Sequence, residues 1–336
     1  MSTKRIIWML VSFLLITLLC GTAGCSSSVQ KPKTILKVVP AGSLLQPFDE
    51  VEKAFEAQHP DVDVQVEGHG SIQAIRQVTD LHRRVDVVAV ADASLIPDLM
   101  FQIDSTTGAN FTDTYTPFAT NAMVIAFTNK SRYADEITQE NWHQVLSRPD
   151  VRVGISNPML DAAGYRAMMV SLLADRYYQN STLFQVLIGS HFKPSLVVQD
   201  EGGIATIMLP EVLRPSDEKL VIRDGSIFVL SHLEAGGIDY AFEYRSVAEG
   251  HDLRWVNLPP EIDLSSPDYA GEYGKVRVIL GFQRFSAIGQ DRTGQPIVYA
   301  VTIPNNAPNR ELAQEFADVV VQKAKIGGKG WPAPLN

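Results

Sequence analysis

The 336-residue chain predicts an α/β protein with parallel sheets, and three observations carry that prediction. Apolar runs of strand length alternate along the chain with segments whose apolar residues recur every three or four positions. Val87 to Val90 is apolar without alternation, as expected of a strand covered on both faces. Turn and breaker residues fall at the junctions, at Gly42, at His59-Pro60, at Gly68 and at Gly70.

The first strand is read at Ile35-Leu36-Lys37-Val38-Val39 and ends sharply at Gly42-Ser43. Leu44, Phe48, Val51 and Phe55 recur at helical spacing, so a helix is expected over 44–58, stopped by His59-Pro60. Val62, Val64 and Val66 alternate with polar residues as a second strand, and a helix from Ser71 is expected to bury Ile72, Ile75 and Leu81. A strand at 87–90 follows, then a polar stretch at 102–114. Beyond it come a strand at 122–128, a short helix at 141–146, a strand at 151–155 and a helix at 165–178. Residues 189–226, rich in Gly, Pro and charge, read as a loop-rich excursion with a few short strands. A helix at 227–235, a strand at 239–244, a strand near Trp255, a strand at 297–303 and a helix over 310–325 complete the series.

The N-terminus has a different character. Lys4-Arg5 precedes an apolar run from Ile6 to Leu19, then small residues, Cys25 and a Ser26-Ser27-Ser28 tract. That order is an export signal, too short and too asymmetrically flanked for a membrane span. Thr22-Ala23-Gly24-Cys25 resembles the lipobox at which bacterial prolipoproteins are diacylated and cut, with Thr22 standing where Leu is usual. The reading is therefore a signal over 1–24, lipidation at Cys25 and a Ser, Gln, Pro and Lys-rich tether over 25–33; a cut before Cys20 is the alternative. Cys20 and Cys25 are the only cysteines, so the mature chain holds no disulfide and no Cys-based metal site. A net charge of -9 argues against nucleic acid as partner. It does not argue against a small anion, because a buried site can use neutral dipoles.

Two corners share one design. Gly42-Ser43 and Gly70-Ser71 each place a glycine at a strand end or short loop and a serine at the start of a helix. The glycine admits close backbone approach, the serine brings a hydroxyl, and the helix N-terminus brings N–H groups. A serine at such a place is on its own an ordinary N-cap. Two such corners at the carboxyl ends of neighbouring parallel strands make an oxyanion cradle without fixed positive charge.

Long strings in the sequence then carry a resemblance. Val39-Pro40-Ala41-Gly42-Ser43-Leu44, Ala54-Phe55-Glu56-Ala57-Gln58-His59-Pro60 and Asp86-Val87-Val88-Ala89-Val90 are similar to archaeal-type tungstate/molybdate-binding proteins of ABC importers. So are Tyr133-Ala134-Asp135-Glu136-Ile137, Ser156-Asn157-Pro158, Gly164-Tyr165-Arg166 and Ile238-Asp239-Tyr240-Ala241-Phe242-Glu243-Tyr244. Leu258-Pro259-Pro260-Glu261-Ile262-Asp263-Leu264-Ser265 and Asn306-Ala307-Pro308-Asn309-Arg310-Glu311-Leu312-Ala313 extend it over nearly the whole mature chain, most weakly over 187–226.

The resemblance implies the periplasmic-binding-protein type II fold, with two α/β lobes joined by two crossover strands and ligand in the cleft between them. The first lobe would comprise 34–119 and 249–336, the second 120–248. It implies oxyanion-binding positions at Ser43 and Ser71 in the first lobe and at Asp161, Ser226 and Tyr244 in the second. In simpler molybdate binders of this fold the two middle positions donate backbone N–H groups. Archaeal-type members place carboxylates at both, and the oxyanion becomes six-coordinate. Here the position eighteen residues before Tyr244 is Ser226 where glutamate is expected, with Asp224 two residues away. Asp161 alone leaves two outcomes, one direct ligand to bound molybdenum or tungsten or a plain tetrahedral site, and an inward shift of Asp224 would restore the six-coordinate arrangement. Arg76 and Arg166 read as solvated or structural arginines, and His69 as an exposed loop histidine at the cleft rim.

The function so implied is capture of molybdate or tungstate by a lipid-anchored monomer facing the periplasm or cell exterior, with delivery to an ABC permease and its ATPase. The lipid anchor is its contact with the membrane, no cofactor beyond the bound oxyanion is expected, and nucleic acid is no partner. Phosphate or sulfate as ligand is the alternative within the fold. An exported enzyme is the alternative outside it, and the chain shows no G-x-S-x-G, H-E-x-x-H or phosphate-loop signature, its seven histidines being scattered. An exported sensor or adhesive module is a further possibility.

Overall fold

The computed structural model describes residues 32–281 and 291–335. The signal, the lipobox with Cys20 and Cys25, and all of the tether but its last two residues lie outside the described residues. Strand β1 (Thr34–Pro40) runs through a 3-10 turn at Gly42–Leu44 into helix α1 (Leu45–Gln58), followed by β2 (Val62–Val66), α2 (Ser71–Thr79), β3 (Val87–Val90), α3 (Leu95–Met100) and β4 (Thr116–Thr120). The chain then gives β5 (Met123–Phe127), α4 (Trp142–Leu146), β6 (Val153–Ser156), α5 (Ala162–Tyr177), α6 (Leu183–Leu187), β7 (Val198–Glu201), β8 (Ile204–Met208) and β9 (Leu220–Arg223). Next come α7 (Ser226–Glu234), β10 (Tyr240–Tyr244), α8 (Arg245–Gly250) and β11 (Arg254–Asn257). The tail holds α9 (Ala270–Tyr273), β12 (Val276–Ile279), β13 (Asp291–Thr293), β14 (Val298–Thr302), α10 (Arg310–Ile326) and β15 (Ala333–Pro334).

Two sheets make the lobes. The first has the order β15-β4-β14-β3-β1-β2, with β1 and β3 parallel and β14 antiparallel to β3. The second has the order β11-β5-β10-β6-β9, with β10, β6 and β9 mutually parallel and β5 antiparallel to β10. Asn121 and Ala122 carry the chain from the first sheet to the second, and the return begins after β11, where Met123 N–H donates to the Asp263 carbonyl.

Burial follows the sequence pattern. All four residues of β3 are buried, as an unbroken apolar run requires, and all five of β10 are buried although Glu243 is among them. Helix α1 buries Phe48, Val51 and Phe55 and leaves Asp49 and Glu50 exposed. Phe48 and Phe55 meet Phe316 of α10 edge-on, with centroids 6.0 and 5.4 Å apart, which locks the last helix onto the first lobe. Helix α5 is buried from Ala162 through Ala174, because it packs against the second sheet and also against β12.

Three expectations change. Leu81 is 63% exposed, because α2 ends at Thr79 and helical periodicity ceases to apply beyond it. Strand β11, which a boundary at 248/249 would put in the first lobe, pairs with β5 in the second sheet. The excursion at 189–226 yields more than isolated strands. Strands β7 and β8 join β12 and β13 in a separate four-stranded sheet, with β8 parallel to β12, and β9 forms the edge of the second sheet. That small sheet draws on chain from both predicted lobes, so no periodicity within either could announce it.

Candidate functional site

Ser43, Ser71, Asp161, Ser226 and Tyr244 are all buried. Ser43 sits in the turn after β1 and Ser71 opens α2, so the first-lobe hydroxyls stand where the sequence puts them. Asp161 is the N-cap of α5, Ser226 the first residue of α7 and Tyr244 the last of β10. The two sets face each other closely. A β-carbon on Gly42 would lie 3.1 Å from the Ile227 side chain and 3.7 Å from Ser226 Oγ, and one on Gly70 would lie 2.8 Å from Asp161 Cβ. The Leu160 carbonyl accepts the N–H groups of Ile72 and Gln73 across the cleft, each at 3.1 Å.

Three hydroxyl oxygens share a hydrogen-bond pattern. Ser43 Oγ accepts from Tyr299 Oη at 3.0 Å, and Tyr299 Oη accepts in turn from Asn121 Nδ2 at 3.2 Å. Ser71 Oγ accepts the Ala91 N–H at 3.0 Å. Tyr244 Oη accepts Arg166 Nη1 at 2.7 Å. With a donor already on each oxygen, each hydroxyl keeps its single proton for another acceptor. Burial holds the Tyr244 phenol well above the ordinary tyrosine range, so it stays a donor.

Asp161 behaves differently from a bare negative charge. Its Oδ2 accepts the Ser226 N–H at 3.0 Å and its Oδ1 the Ala163 N–H at 3.4 Å. Burial raises its pKa, and the Ser226 and Ala163 N–H groups oppose the rise. The expectation that the N–H groups of Asp161 and Ser226 are offered to a ligand is not what the geometry shows. The Asp161 N–H donates to the Asn157 carbonyl at 2.9 Å and the Ser226 N–H is taken by the Asp161 carboxylate. Asp224 is exposed and accepts from Asn157 Nδ2 at 3.2 Å, so it does not supply a second carboxylate.

Four further residues belong to the neighbourhood. Glu243 is fully buried; burial pushes its carboxyl up to about 8 against the Tyr244 N–H that its Oε1 accepts, with the charge of Asp161 adding to the rise. Its Oε2 has no hydrogen-bond partner among the described residues. Tyr299 was unmarked in the sequence because a tyrosine on a buried strand is ordinarily core. Arg166, read as solvated or structural, is 2% exposed and holds Tyr244. Asp92 lies beside it: burial raises this carboxyl, but Arg166 and Arg292 together with hydrogen bonds from Tyr165 and Ser94 bring it below the usual range. One signal could have found Arg166, since it is the only charged residue in the run from Ala162 to Ala174. Of the remaining candidates, Arg76 pairs with Asp80 at 3.5 Å. His69 is half-buried rather than exposed, 2.9 Å from Glu67 Oε1. Among the described residues, no three His, Cys, Asp or Glu side chains gather as a cation site.

Paired α/β lobes with a polar, buried seam between them define a solute-binding protein, and comparison agrees. The chain belongs to the family described as bacterial extracellular solute-binding protein, which matches residues 36–325. It is 40% identical over 308 residues to the molybdate/tungstate-binding protein WtpA of Thermococcus kodakarensis, covering 88% of this chain and 82% of that one. It is 43% identical over 289 residues to a solute-binding protein of Methanoculleus marisnigri, covering 85% and 77%. Among solved structures, the periplasmic molybdate-binding protein of Azotobacter vinelandii superposes with a TM-score of 0.53 at 16% identity, covering 88% of this chain and 94% of that one. The sulfate-binding protein SubI of Mycobacterium tuberculosis gives 0.54 at 14%, covering 90% and 88%. These two likenesses establish the type II periplasmic-binding-protein fold.

Proposed function

We propose that this protein captures molybdate or tungstate outside the cytoplasmic membrane, tethered as a monomer by lipid on Cys25, and delivers it to an ABC permease. The observation that carries the reading is the shared pattern at Ser43, Ser71 and Tyr244, three buried hydroxyls whose oxygens are already occupied and whose protons are free to donate. Such a set suits a ligand whose oxygens all accept. Molybdate and tungstate are of that kind; phosphate near neutral pH carries a proton and needs an acceptor. Asp161, the carboxylate among the five site positions, is already committed to N–H groups. Sulfate also presents only acceptors, and the relatives named for molybdate and tungstate favour the larger ions over it.

Capture proceeds by closure. The first lobe presents Ser43 and Ser71, the anion docks, and the second lobe brings up Tyr244 with Asp161 and Ser226 beside it. Contacts available only in the closed form shift the population towards it. Calorimetric titration of the purified chain with molybdate, tungstate, sulfate and phosphate tests the assignment. Tight binding of the first two is expected, and tight binding of sulfate or phosphate alone overturns it.

A further inference from the structure

Behind Tyr244, residues of the two lobes meet through a buried polar contact. Ala91 and Asp92 directly follow β3 in the first lobe, whereas Tyr165 and Arg166 lie near the start of α5 in the second. Arg166 Nη1 donates to the Ala91 carbonyl at 2.7 Å and to Tyr244 Oη at 2.7 Å. Arg166 Nη2 stands 3.6 Å from Asp92 Oδ2, which also accepts Tyr165 Oη at 2.6 Å. All four residues are buried.

A guanidinium removed from water needs acceptors around it. Here those acceptors are divided between the lobes, and Nη2, which has no hydrogen-bond partner among the described residues, depends on the ion pair with Asp92, so parting the lobes removes both the Ala91 and the Asp92 compensation. The contact also reaches the other side of the site, because the Ala91 N–H donates to Ser71 Oγ. One continuous chain of hydrogen bonds thus joins Ser71 to Tyr244 through Ala91 and Arg166, and it is broken wherever the lobes part.

We propose that Arg166 is a positioning residue for oxyanion capture, tying the aim of the Tyr244 hydroxyl to closure of the lobes. Donation from Arg166 fills the acceptor side of Tyr244 Oη and leaves the phenolic proton for the ligand. Loss of the Ala91 contact on opening frees the guanidinium and with it the orientation of the phenol. Release of bound anion then requires the Arg166 bridge to break first, so the residue acts chiefly on dissociation.

The inference rests on the oxyanion reading, and tungstate binding by Arg166→Lys, Arg166→Met, Tyr244→Phe and the Arg166→Met/Tyr244→Phe double variant tests it. Arg166→Met is expected to weaken tungstate binding by about tenfold or more, mainly through faster dissociation, as loss of a charge-assisted hydrogen bond does. The double variant is expected to bind about as weakly as the weaker single variant, because both substitutions remove the same hydrogen bond. Arg166→Lys keeps a positive charge beside Asp92 and so keeps the fold, but one ammonium does not reproduce the guanidinium fork; it is expected to lose affinity in the same direction. A wild-type dissociation rate in Arg166→Lys, or losses that multiply in the double variant, overturns the role. A parent chain that binds neither tungstate nor molybdate overturns the functional reading instead.

Discussion

A β-carbon on Gly70 would come within 2.4 Å of the Leu160 carbonyl oxygen, and the two residues belong to opposite lobes. Gly70 itself has φ of -63°, which any residue adopts, so the backbone of the first lobe does not require glycine here. What requires it is the approach of the second lobe. Gly70→Ala is expected to leave the unliganded melting temperature near that of the parent, because the clash is relieved by opening. Tungstate affinity should fall by about tenfold or more, on the scale of an overpacked contact. X-ray scattering with saturating tungstate should show a larger radius of gyration than the parent; identical closure in the variant counts against the cleft as the binding site.

Ser43→Ala and Ser71→Ala should each weaken molybdate and tungstate binding by about 1 to 3 kcal/mol, the scale of a hydrogen bond to a charged group. Ser71→Ala also strips the acceptor from the buried Ala91 N–H, so the unliganded protein should lose about 1 kcal/mol of stability as well. Titration calorimetry and chemical denaturation separate the two effects. Unchanged affinity in both variants removes these serines from the site.

Bound tungstate should remain four-coordinate. Ser226 stands where a second carboxylate was expected, Asp224 is turned to solvent, and Asp161 already receives N–H groups on both oxygens. X-ray absorption at the tungsten edge should therefore report four oxygen neighbours, and six would refute the assignment. Asp161→Asn removes a negative charge near a dianion and should leave tungstate affinity within about threefold or improve it.

The buried Glu243 gives stability a defined pH dependence. Its folded pKa is raised to about 8 from an ordinary 4.5, so between those values the unfolded chain releases a proton that the folded chain keeps. The folded state then binds more protons, and stability falls as pH rises through that window. Glu243→Gln should melt with the parent near pH 4 and above it near pH 7.5, by roughly 1 kcal/mol or more of stability. In the parent, ionisation above about 8 adds a negative charge in the electrostatic neighbourhood of Asp161, so anion affinity should drop there and not in Glu243→Gln. Parallel melting curves for the two proteins across this range would contradict the burial argument.

The layers and the two Gly-Ser corners of the candidate site were legible in the sequence because both depend on local signals. An unbroken apolar run marked β3, helical spacing marked α1, and the Gly-Ser pairs marked two helix starts close to where they occur. Tyr244 and Asp161 came from resemblance, since neither a tyrosine on a buried strand nor an aspartate before a helix is distinctive alone. The small sheet of β7, β8, β12 and β13 escaped because the pairing that unites it, β8 with β12, crosses a long span of chain. Arg166, Tyr299 and Glu243 escaped for a related reason. Each acquires its meaning from a partner distant in the chain or from burial, and a list of residue types carries neither.

The bridge at Ala91 has a consequence for how such proteins vary. Both groups it contributes, the N–H towards Ser71 and the carbonyl towards Arg166, belong to the main chain. No change of side chain at position 91 deletes the carbonyl, and only proline deletes the N–H. A scan that truncates side chains would pass over this position without effect, and lineages could drift there within the limits of size while the connection between the lobes persisted unmarked.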